Sequence, residues 1–137
     1  MKKFKFFIAL DLKSNTQNIS IVKKMYHHVY GFKVGYRSFY NKRSDELISE
    51  IKKKKSKLFL DLKLHDIPNT VKRAINVICD YGIWMTNVHV LGGKEMLASA
   101  KQVVKKESPE TKLKQPSEME GSNKRSSGSG VQLSNGP

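Results

Sequence analysis

Two carboxylates and a lysine stand close together in the segment LFLDLKLHDIPNT, residues 58–70. Asp61, Lys63 and Asp66 follow an apolar run that is typical of a buried strand. Side chains two positions apart on a strand point to the same face, so we expect Asp61 and Lys63 to project together, with Asp66 in the loop that follows. If Lys33 points into the same space, lysines and aspartates alternate in one array.

An array of alternating ammonium and carboxylate groups suits chemistry on a substrate that carries a carboxylate. A fixed carboxylate can face the substrate carboxylate, and the ammonium groups can stabilise a carbanion that develops beside them. A lysine can then deliver a proton to that carbanion. These steps require no cofactor and no metal.

Each of these residues also has a purely structural interpretation. Asp66 precedes Pro68 and could cap a helix that begins there. Asp61 and Lys63 could form an exposed pair worth less than about 1 kcal/mol, and Asp11 could end its own strand in solvent. For each residue taken singly, the sequence leaves these alternatives open.

The elements that must position these residues alternate between strand and helix patterns. Ser14 or Asn15 can cap the first helix, and we expect Ser44 to cap the second, over 44–55. Pro68 suits the first position of a third helix, which Gly82 ends. The expected strands cover 4–11, 31–36, 56–63 and 83–90, and a last helix covers 92–104.

This alternation predicts an α/β fold with a parallel sheet and right-handed crossovers. The first turn, DLKSNTQN, contains no glycine, which argues against a dinucleotide-binding fold. Polar residues stand instead at the ends of the strands, at Asp11, Lys33, Asp61 and His89, where barrel enzymes carry their chemistry. A (β/α)8 barrel needs about 250 residues, so we expect a partial (β/α)8 barrel of about four βα units.

The composition changes near residue 105. Residues 1–104 hold every aromatic side chain and are expected to form the barrel domain. Residues 105–137 are rich in Ser, Gly, Pro and charge, with few apolar side chains to offset the entropy of ordering. We therefore predict that residues 105–137 form a disordered tail.

The charge of the chain is strongly positive, at +14 over 137 residues. Most of the basic residues are lysines, whereas nucleic-acid readers favour arginine, so a role in solubility is preferred over nucleic-acid binding. The single cysteine, Cys79, excludes an intramolecular disulfide. The apolar run near the amino terminus is too short for a signal peptide or a membrane span, and a cytoplasmic location is expected.

The segment LFLDLKLHDIPNTV resembles the signature of the orotidine 5′-phosphate decarboxylase family, an Asp-x-Lys-x-x-Asp-Ile-x-x-Thr core. Further stretches that resemble the family in order and spacing are IALDL (8–12), FKVGYRSF (32–39) and WMTNVHVLGGKEML (84–97). The resemblance implies a (β/α)8 barrel that converts orotidine monophosphate to uridine monophosphate and carbon dioxide, in pyrimidine biosynthesis, without a cofactor.

The resemblance also implies roles for Asp11 and for three residues of the array. Asp11 and Lys33 would contact the ribose hydroxyls, and Lys33 would also belong to the array. Asp61 would oppose the departing carboxylate. Lys63 would stabilise the carbanion at C6 of the pyrimidine and protonate it.

Other residues of the signature would serve a neighbouring subunit. In the family that this chain resembles, Asp66, Ile67 and Thr70 come from the partner subunit, which implies a homodimer with a shared active site. His89 matches a substrate-binding position in the family's VHA stretch, although Val90 follows it here. A histidine at that place could equally be a residue of the barrel wall.

The second half of the family's pattern, including its Gly-Arg phosphate site, has no counterpart in residues 105–137. The phosphate supplies binding energy that organises the transition state, so the chain is expected to be a poor catalyst by itself. The alternative is an inactive remnant, or one half of a split enzyme, that acts only through association with a partner.

Overall fold

The computed structural model describes residues 4–107 and 130–134. The chain divides into two compact units, Met1–Asp61 and Leu62–Pro137. Strand β3 begins in the first unit and ends in the second.

The first unit carries the elements that lead to the charged segment. In chain order these are β1 (Phe4–Ala9), α1 (Asn15–Met25), β2 (Val29–Gly35), α2 (Tyr36–Phe39), α3 (Ser44–Lys53) and the start of β3 (Lys57–Leu64). β1 pairs in parallel with β2, and β2 pairs in parallel with β3. The carboxyl ends of these strands therefore lie at one edge, as expected for βα units.

The core of the first unit lies between the sheet and helices α1 and α3. Its side chains are apolar, and they recur every three or four positions on the helices and dominate the strands. They include Val22, Val29, Phe32, Val34, Leu47, Ile51, Leu58 and Leu60. Gly31 is required where β2 meets β3, because an added Cβ would collide with the Lys57 carbonyl oxygen and the Phe7 ring.

Of the two predicted caps of α1, Ser14 is confirmed and Asn15 is already helical, whereas the predicted cap of α3 is wrong. Ser14 forms a capping box with Gln17, in which the side chains and backbone N–H groups of both residues are bonded reciprocally. The residue that caps α3 is Arg43, in the left-handed conformation at φ 63°, and Ser44 is already helical. Arg43 donates two hydrogen bonds to Glu46, at 2.9 and 2.6 Å. These bonds favour a helix whose first residue is Ser44, one position before the start that a Ser44 cap would give.

The second unit contains the elements that follow the charged segment. These are α4 (Pro68–Asp80), β4 (Met85–His89), a 3₁₀ turn (Val90–Gly92), α5 (Gly93–Glu107) and β5 (Gly130–Ser134). Pro68 opens α4 as predicted, and Gly82, at φ 68°, follows its end. The packed core of this unit joins α4, α5 and β4 through Val71, Ile75, Val88, Met96, Ala100, Val103 and Val104.

Two segments of residues 105–137, the predicted disordered tail, lie within described elements. Helix α5 continues to Glu107, and Gly130–Ser134 forms β5, which pairs in parallel with β4. The sequence of β5 alone would not hold a strand, but an adjacent strand edge supplies the hydrogen-bonding partners. The rest of the predicted tail, 108–129 and 135–137, lies outside the described residues.

The predicted α/β class with alternating βα units is confirmed. Every strand pairing described is parallel, and each of the first four strands is followed by a helix. Short α2 and strand β5 were not predicted. None of the helices within residues 4–107 combines the length and the apolar character that crossing a membrane requires.

Candidate active site

An ion pair joins the carboxyl-terminal halves of two neighbouring strands, and both of its residues lie in the first unit. The Lys33 ammonium on β2 lies 3.0 Å from the Asp61 carboxylate on β3. The register places Gly35 opposite Asp61, and Lys33 precedes Gly35 by two residues on the same strand. The long side chain of Lys33 therefore extends towards the carboxyl end of β2 to contact Asp61. The structure thus brings together two residues that lie 28 positions apart in the sequence.

The two members of this pair differ in exposure. The Asp61 side chain is 9% exposed and the Lys33 side chain 37% exposed. A buried carboxylate requires a charged or hydrogen-bonding partner, and Lys33 supplies one. The alternative in which Asp61 is an exposed surface charge is therefore wrong, because its place is inside the fold.

Asp11 lies two residues beyond the end of β1 and is exposed. The Leu10 N–H donates to the Lys33 carbonyl at 2.9 Å, which extends the pairing of β1 with β2 almost to Asp11. Asp11 is therefore at the same edge of the first unit as the ammonium of Lys33. The predicted strand 4–11 is two residues too long, since β1 ends at Ala9.

Lys63 departs from the strand geometry that the sequence predicts. Its backbone is left-handed, at φ 45°, and its N–H donates to the side chain of buried Asn87 at 2.7 Å. The alternation of side chains along a strand does not hold through a left-handed residue, which costs about 1–2 kcal/mol in a chain of L-residues. The predicted common projection of Asp61 and Lys63 therefore cannot rest on strand alternation, and it stays a prediction.

The residues after β3 lie on the surface of the second unit. Asp66, Ile67 and Thr70 are exposed, Ile67 at 67%. The Asp66 carboxylate accepts a hydrogen bond from the Ile67 N–H at 2.7 Å. Ile67 itself is the residue that precedes α4, and no side chain caps this helix. The interpretation of Asp66 as a helix cap is therefore wrong.

His89 ends β4 and is partly buried. Its Nδ1 accepts a hydrogen bond from the Leu91 N–H at 3.2 Å, which fixes the start of the 3₁₀ turn. Its ring stacks on that of His65, with centroids 4.7 Å apart and planes inclined by 8°. His65 was not predicted, although it stands beside Asp66 in the signature segment.

Sequence reasoning also missed a polar network near Asp11. Asn15 and Asn18 on α1 and Ser38 on α2 are buried, with at most 2% exposure. Asn18 Nδ2 donates to Asn15 Oδ1 and to Ser38 Oγ, both at 3.0 Å. Two asparagines three positions apart on the face that also carries Ile19 and Val22 were the available signal.

Among residues 4–107 and 130–134, no cluster of three or more His, Cys, Asp or Glu side chains is placed to hold a metal ion. The arrangement at the ends of β2 and β3 offers an ammonium and a buried carboxylate in contact. These groups can bind and polarise a charged organic substrate.

A family model with the description "Orotidine 5'-phosphate decarboxylase / HUMPS family" matches residues 5–131. The chain is 44% identical over 112 residues to the orotidine 5′-phosphate decarboxylase of Carboxydothermus hydrogenoformans, and it covers 46% of that protein. This stretch is 82% of the present chain. The chain thus spans about half the length of the curated relatives that it matches.

Solved structures give the same partial match. An uncharacterized conserved protein from Geobacillus kaustophilus aligns with a TM-score of 0.68 and 33% identity, over 76% of this chain and 48% of that one. Orotidine 5′-monophosphate decarboxylase from Methanocaldococcus jannaschii aligns with a TM-score of 0.62 and 28% identity, over 77% and 50%. The described elements therefore correspond to about half of each of these folds.

Proposed function

The chain belongs to the orotidine 5′-phosphate decarboxylase / HUMPS family, and on that premise we propose that it acts in the decarboxylation of orotidine 5′-monophosphate to uridine 5′-monophosphate. The observation that carries the proposal is the ion pair between Lys33 and Asp61. It holds a buried carboxylate and an ammonium in the carboxyl-terminal halves of adjacent parallel strands, towards the end at which α/β enzymes of the barrel class carry their chemistry. A cytoplasmic location is part of the proposal.

In the proposed reaction, Asp61 faces the carboxylate of the substrate. Two carboxylates held close together repel each other, and this repulsion disappears when carbon dioxide leaves. The Lys33 ammonium is placed to orient Asp61, because it lies 3.0 Å from one carboxylate oxygen. The contribution of Asp61 is thus a ground-state interaction that the transition state relieves.

Lys63 is proposed as the acid. The bond between C6 and the carboxyl carbon breaks, its electron pair stays on C6, and the Lys63 ammonium stabilises that charge and transfers a proton to it. Carbon dioxide leaves, and Lys63 regains its proton from solvent. The strained backbone at Lys63 supports this role, since strain of this kind is concentrated at functional sites.

Asp11 and Lys33 are proposed to bind the ribose hydroxyls, and His89 to contact the substrate from the end of β4. The support for Asp11 is its exposure beside the end of β2. The support for His89 is weaker, since its Nδ1 is engaged by the Leu91 N–H. Only Nε2 of His89 is then available to a ligand.

We also propose that Asp66, Ile67 and Thr70 complete the active site of a second copy of the chain. All three are exposed on the surface of the second unit. Ile67 is 67% exposed, so its apolar side chain is accessible and would lose contact with water if a second copy packed against it. The active form would then be a homodimer with shared sites.

Because the chain covers 46% of its Carboxydothermus hydrogenoformans relative, the test includes the missing part. The purified chain is assayed alone and after mixing with the carboxyl-terminal remainder of that relative, a combination called here the two-part mixture. Release of labelled carbon dioxide from orotidine 5′-monophosphate is the measurement. The control is Lys55→Ala, at an exposed lysine outside the site.

The proposal predicts turnover in the two-part mixture that Lys63→Ala lowers by at least about 100-fold and that Lys55→Ala leaves unchanged. Turnover that is equally fast with Lys63→Ala would contradict the assignment of Lys63. Association of the two parts without any turnover would instead favour the alternative, a chain that acts only by binding a partner.

A further inference from the structure

The loop that carries Asp11 is held by side chains from elsewhere in the first unit. The Ser38 hydroxyl donates to the Leu10 carbonyl at 2.5 Å, immediately before Asp11. The Leu12 N–H, immediately after Asp11, donates to Asn18 Oδ1 at 3.2 Å. The backbone on both sides of Asp11 is therefore bonded to two members of the buried polar network.

The third member of the network anchors it to the chain beyond β2. Asn15 Nδ2 donates to the Ser38 carbonyl at 2.8 Å and to the Lys42 carbonyl at 3.0 Å. Ser38 itself follows Lys33 by five positions, on the short helix that continues β2. The network thus links the loop of Asp11 to the segment that begins with Lys33.

The energetics favour a fixed geometry for this loop. Asn15, Asn18 and Ser38 are at most 2% exposed, so the loss of a partner leaves a buried polar group without a hydrogen bond. In the low-dielectric interior, a polar group without a hydrogen bond lowers the stability of the folded state. A network in which every group is hydrogen-bonded therefore favours the single arrangement in which all of these bonds are made. Displacement of Leu10 or Leu12 would break it.

We propose that Asn15, Asn18 and Ser38 are positioning residues that fix the Asp11 carboxylate relative to Lys33, and that they thereby set the preference for a ribose over a sugar that lacks the 2′ and 3′ hydroxyls. The second part rests on the proposed function, in which Asp11 binds ribose hydroxyls. The first part concerns the geometry of this chain alone. The network contacts no ligand itself and acts through the backbone on either side of Asp11.

The first measurement is amide hydrogen exchange at Leu12 in the full chain. Leu12 is 41% exposed and lies outside β1 and α1, so only the bond to Asn18 among those described protects its N–H. The proposal predicts slow exchange at Leu12 in the unmodified chain. It predicts about tenfold faster exchange in Ser38→Ala, an intermediate rate in Ser38→Cys, and no change in the exposed control Ser20→Ala.

The second measurement compares the affinities for uridine 5′-monophosphate and 2′,3′-dideoxyuridine 5′-monophosphate by NMR titration. The unmodified chain should prefer the ribonucleotide, and Ser38→Ala should reduce this preference about tenfold by weakening ribonucleotide binding selectively. A merely structural role would weaken the binding of both nucleotides alike. That result would overturn the claim about ribose preference.

Negative results of the two measurements would contradict different claims. Unprotected exchange at Leu12 in the unmodified chain would overturn the positioning claim without involving any variant. Slow exchange at Leu12 together with equal affinity for both nucleotides in the unmodified chain would overturn the proposed ribose contact of Asp11 instead, and the fixed loop would stand.

Discussion

The Lys33 ammonium nitrogen lies 3.0 Å from Oδ2 of Asp61, with the carboxylate buried inside the fold and the ammonium more than one third exposed. This contact joins residues 28 positions apart, and parallel pairing of β2 with β3 makes it possible. Loss of either partner would leave the other charge uncompensated, so the pair bears on stability as well as on the proposed chemistry. Substitutions at Lys33 and Asp61 test whether their contact stabilises the folded chain.

Lys33→Met should destabilise the chain, because it retains the length of the side chain but leaves the buried carboxylate of Asp61 without its ammonium. Removal of one partner from a fully buried pair costs about 3–5 kcal/mol, and we expect about 2 kcal/mol here because Lys33 is partly exposed. Urea denaturation measures the free energy of unfolding, with the exposed Lys24→Met as control.

The double variant Lys33→Met with Asp61→Asn should be less destabilised than the sum of the single variants, since it contains no buried charge at this site. Strict additivity of the three free energies would show that the contact between Lys33 and Asp61 does not contribute to folding.

Replacement of Lys63 by glycine should separate stability from activity. Lys63→Gly should be about 1 kcal/mol more stable than Lys63→Ala, because glycine adopts φ 45° without the strain that a Cβ introduces. Lys55, at φ 52°, offers the matched comparison outside the site, and Lys55→Gly should gain similarly over Lys55→Ala. Thermal denaturation measures both differences, and only the Lys63 variants should lose turnover in the two-part mixture.

The Arg43–Glu46 pair at the start of α3 predicts a pH-dependent contribution to stability. Its hydrogen bond with Arg43, and secondarily the charge of Arg43, lower the pKa of Glu46 below its ordinary value. The stabilisation is then fully present above the unfolded pKa of glutamate, about 4.3, and is lost as the pH falls through the lower folded value.

Glu46→Gln should therefore lower the melting temperature slightly at pH 7 and leave it unchanged at strongly acidic pH. The same substitution in an Arg43→Met background should have no effect at either pH. A difference between Glu46→Gln and the unmodified chain that persists at acidic pH would show that the pair with Arg43 is not its origin.

A shared active site predicts complementation between two inactive variants. Chains with Lys63→Ala and chains with Asp66→Ala should each be inactive in the two-part mixture. When equal amounts are combined and allowed to exchange subunits, half of the dimers are mixed and one of their two sites is intact, so about one quarter of full activity should return. Activity that does not return, although the subunits exchange, would place Asp66 in the site of its own chain.

The sequence predicts most of the elements because each has a local signal. Apolar periodicity marks α1, α3 and α4, Ser14 and Pro68 mark two helix starts, and near-continuous apolar runs mark the strands. These signals depend on neighbours within a few positions. They can therefore be recognised without knowledge of the rest of the fold.

The differences arise where distant residues decide the local structure. The left-handed Lys63 is stabilised by Asn87, 24 positions away, so no local pattern indicates it. Strand β5 depends on pairing with β4 and has a composition that favours a loop. The position of Asn18 on the apolar face of α1 indicates burial, but its partners Leu12 and Ser38, 6 and 20 positions away, cannot be identified from the sequence.

The central claim is that the Lys63 ammonium stabilises and protonates a carbanion at C6 of the pyrimidine. The reverse of that proton transfer exchanges the C6 hydrogen of uridine 5′-monophosphate with deuterium from heavy water, and proton NMR follows it directly. We expect exchange in the two-part mixture that is at least about 100-fold slower with Lys63→Ala and unchanged with Lys55→Ala. Exchange at the same rate with Lys63→Ala as with the unmodified chain would contradict it.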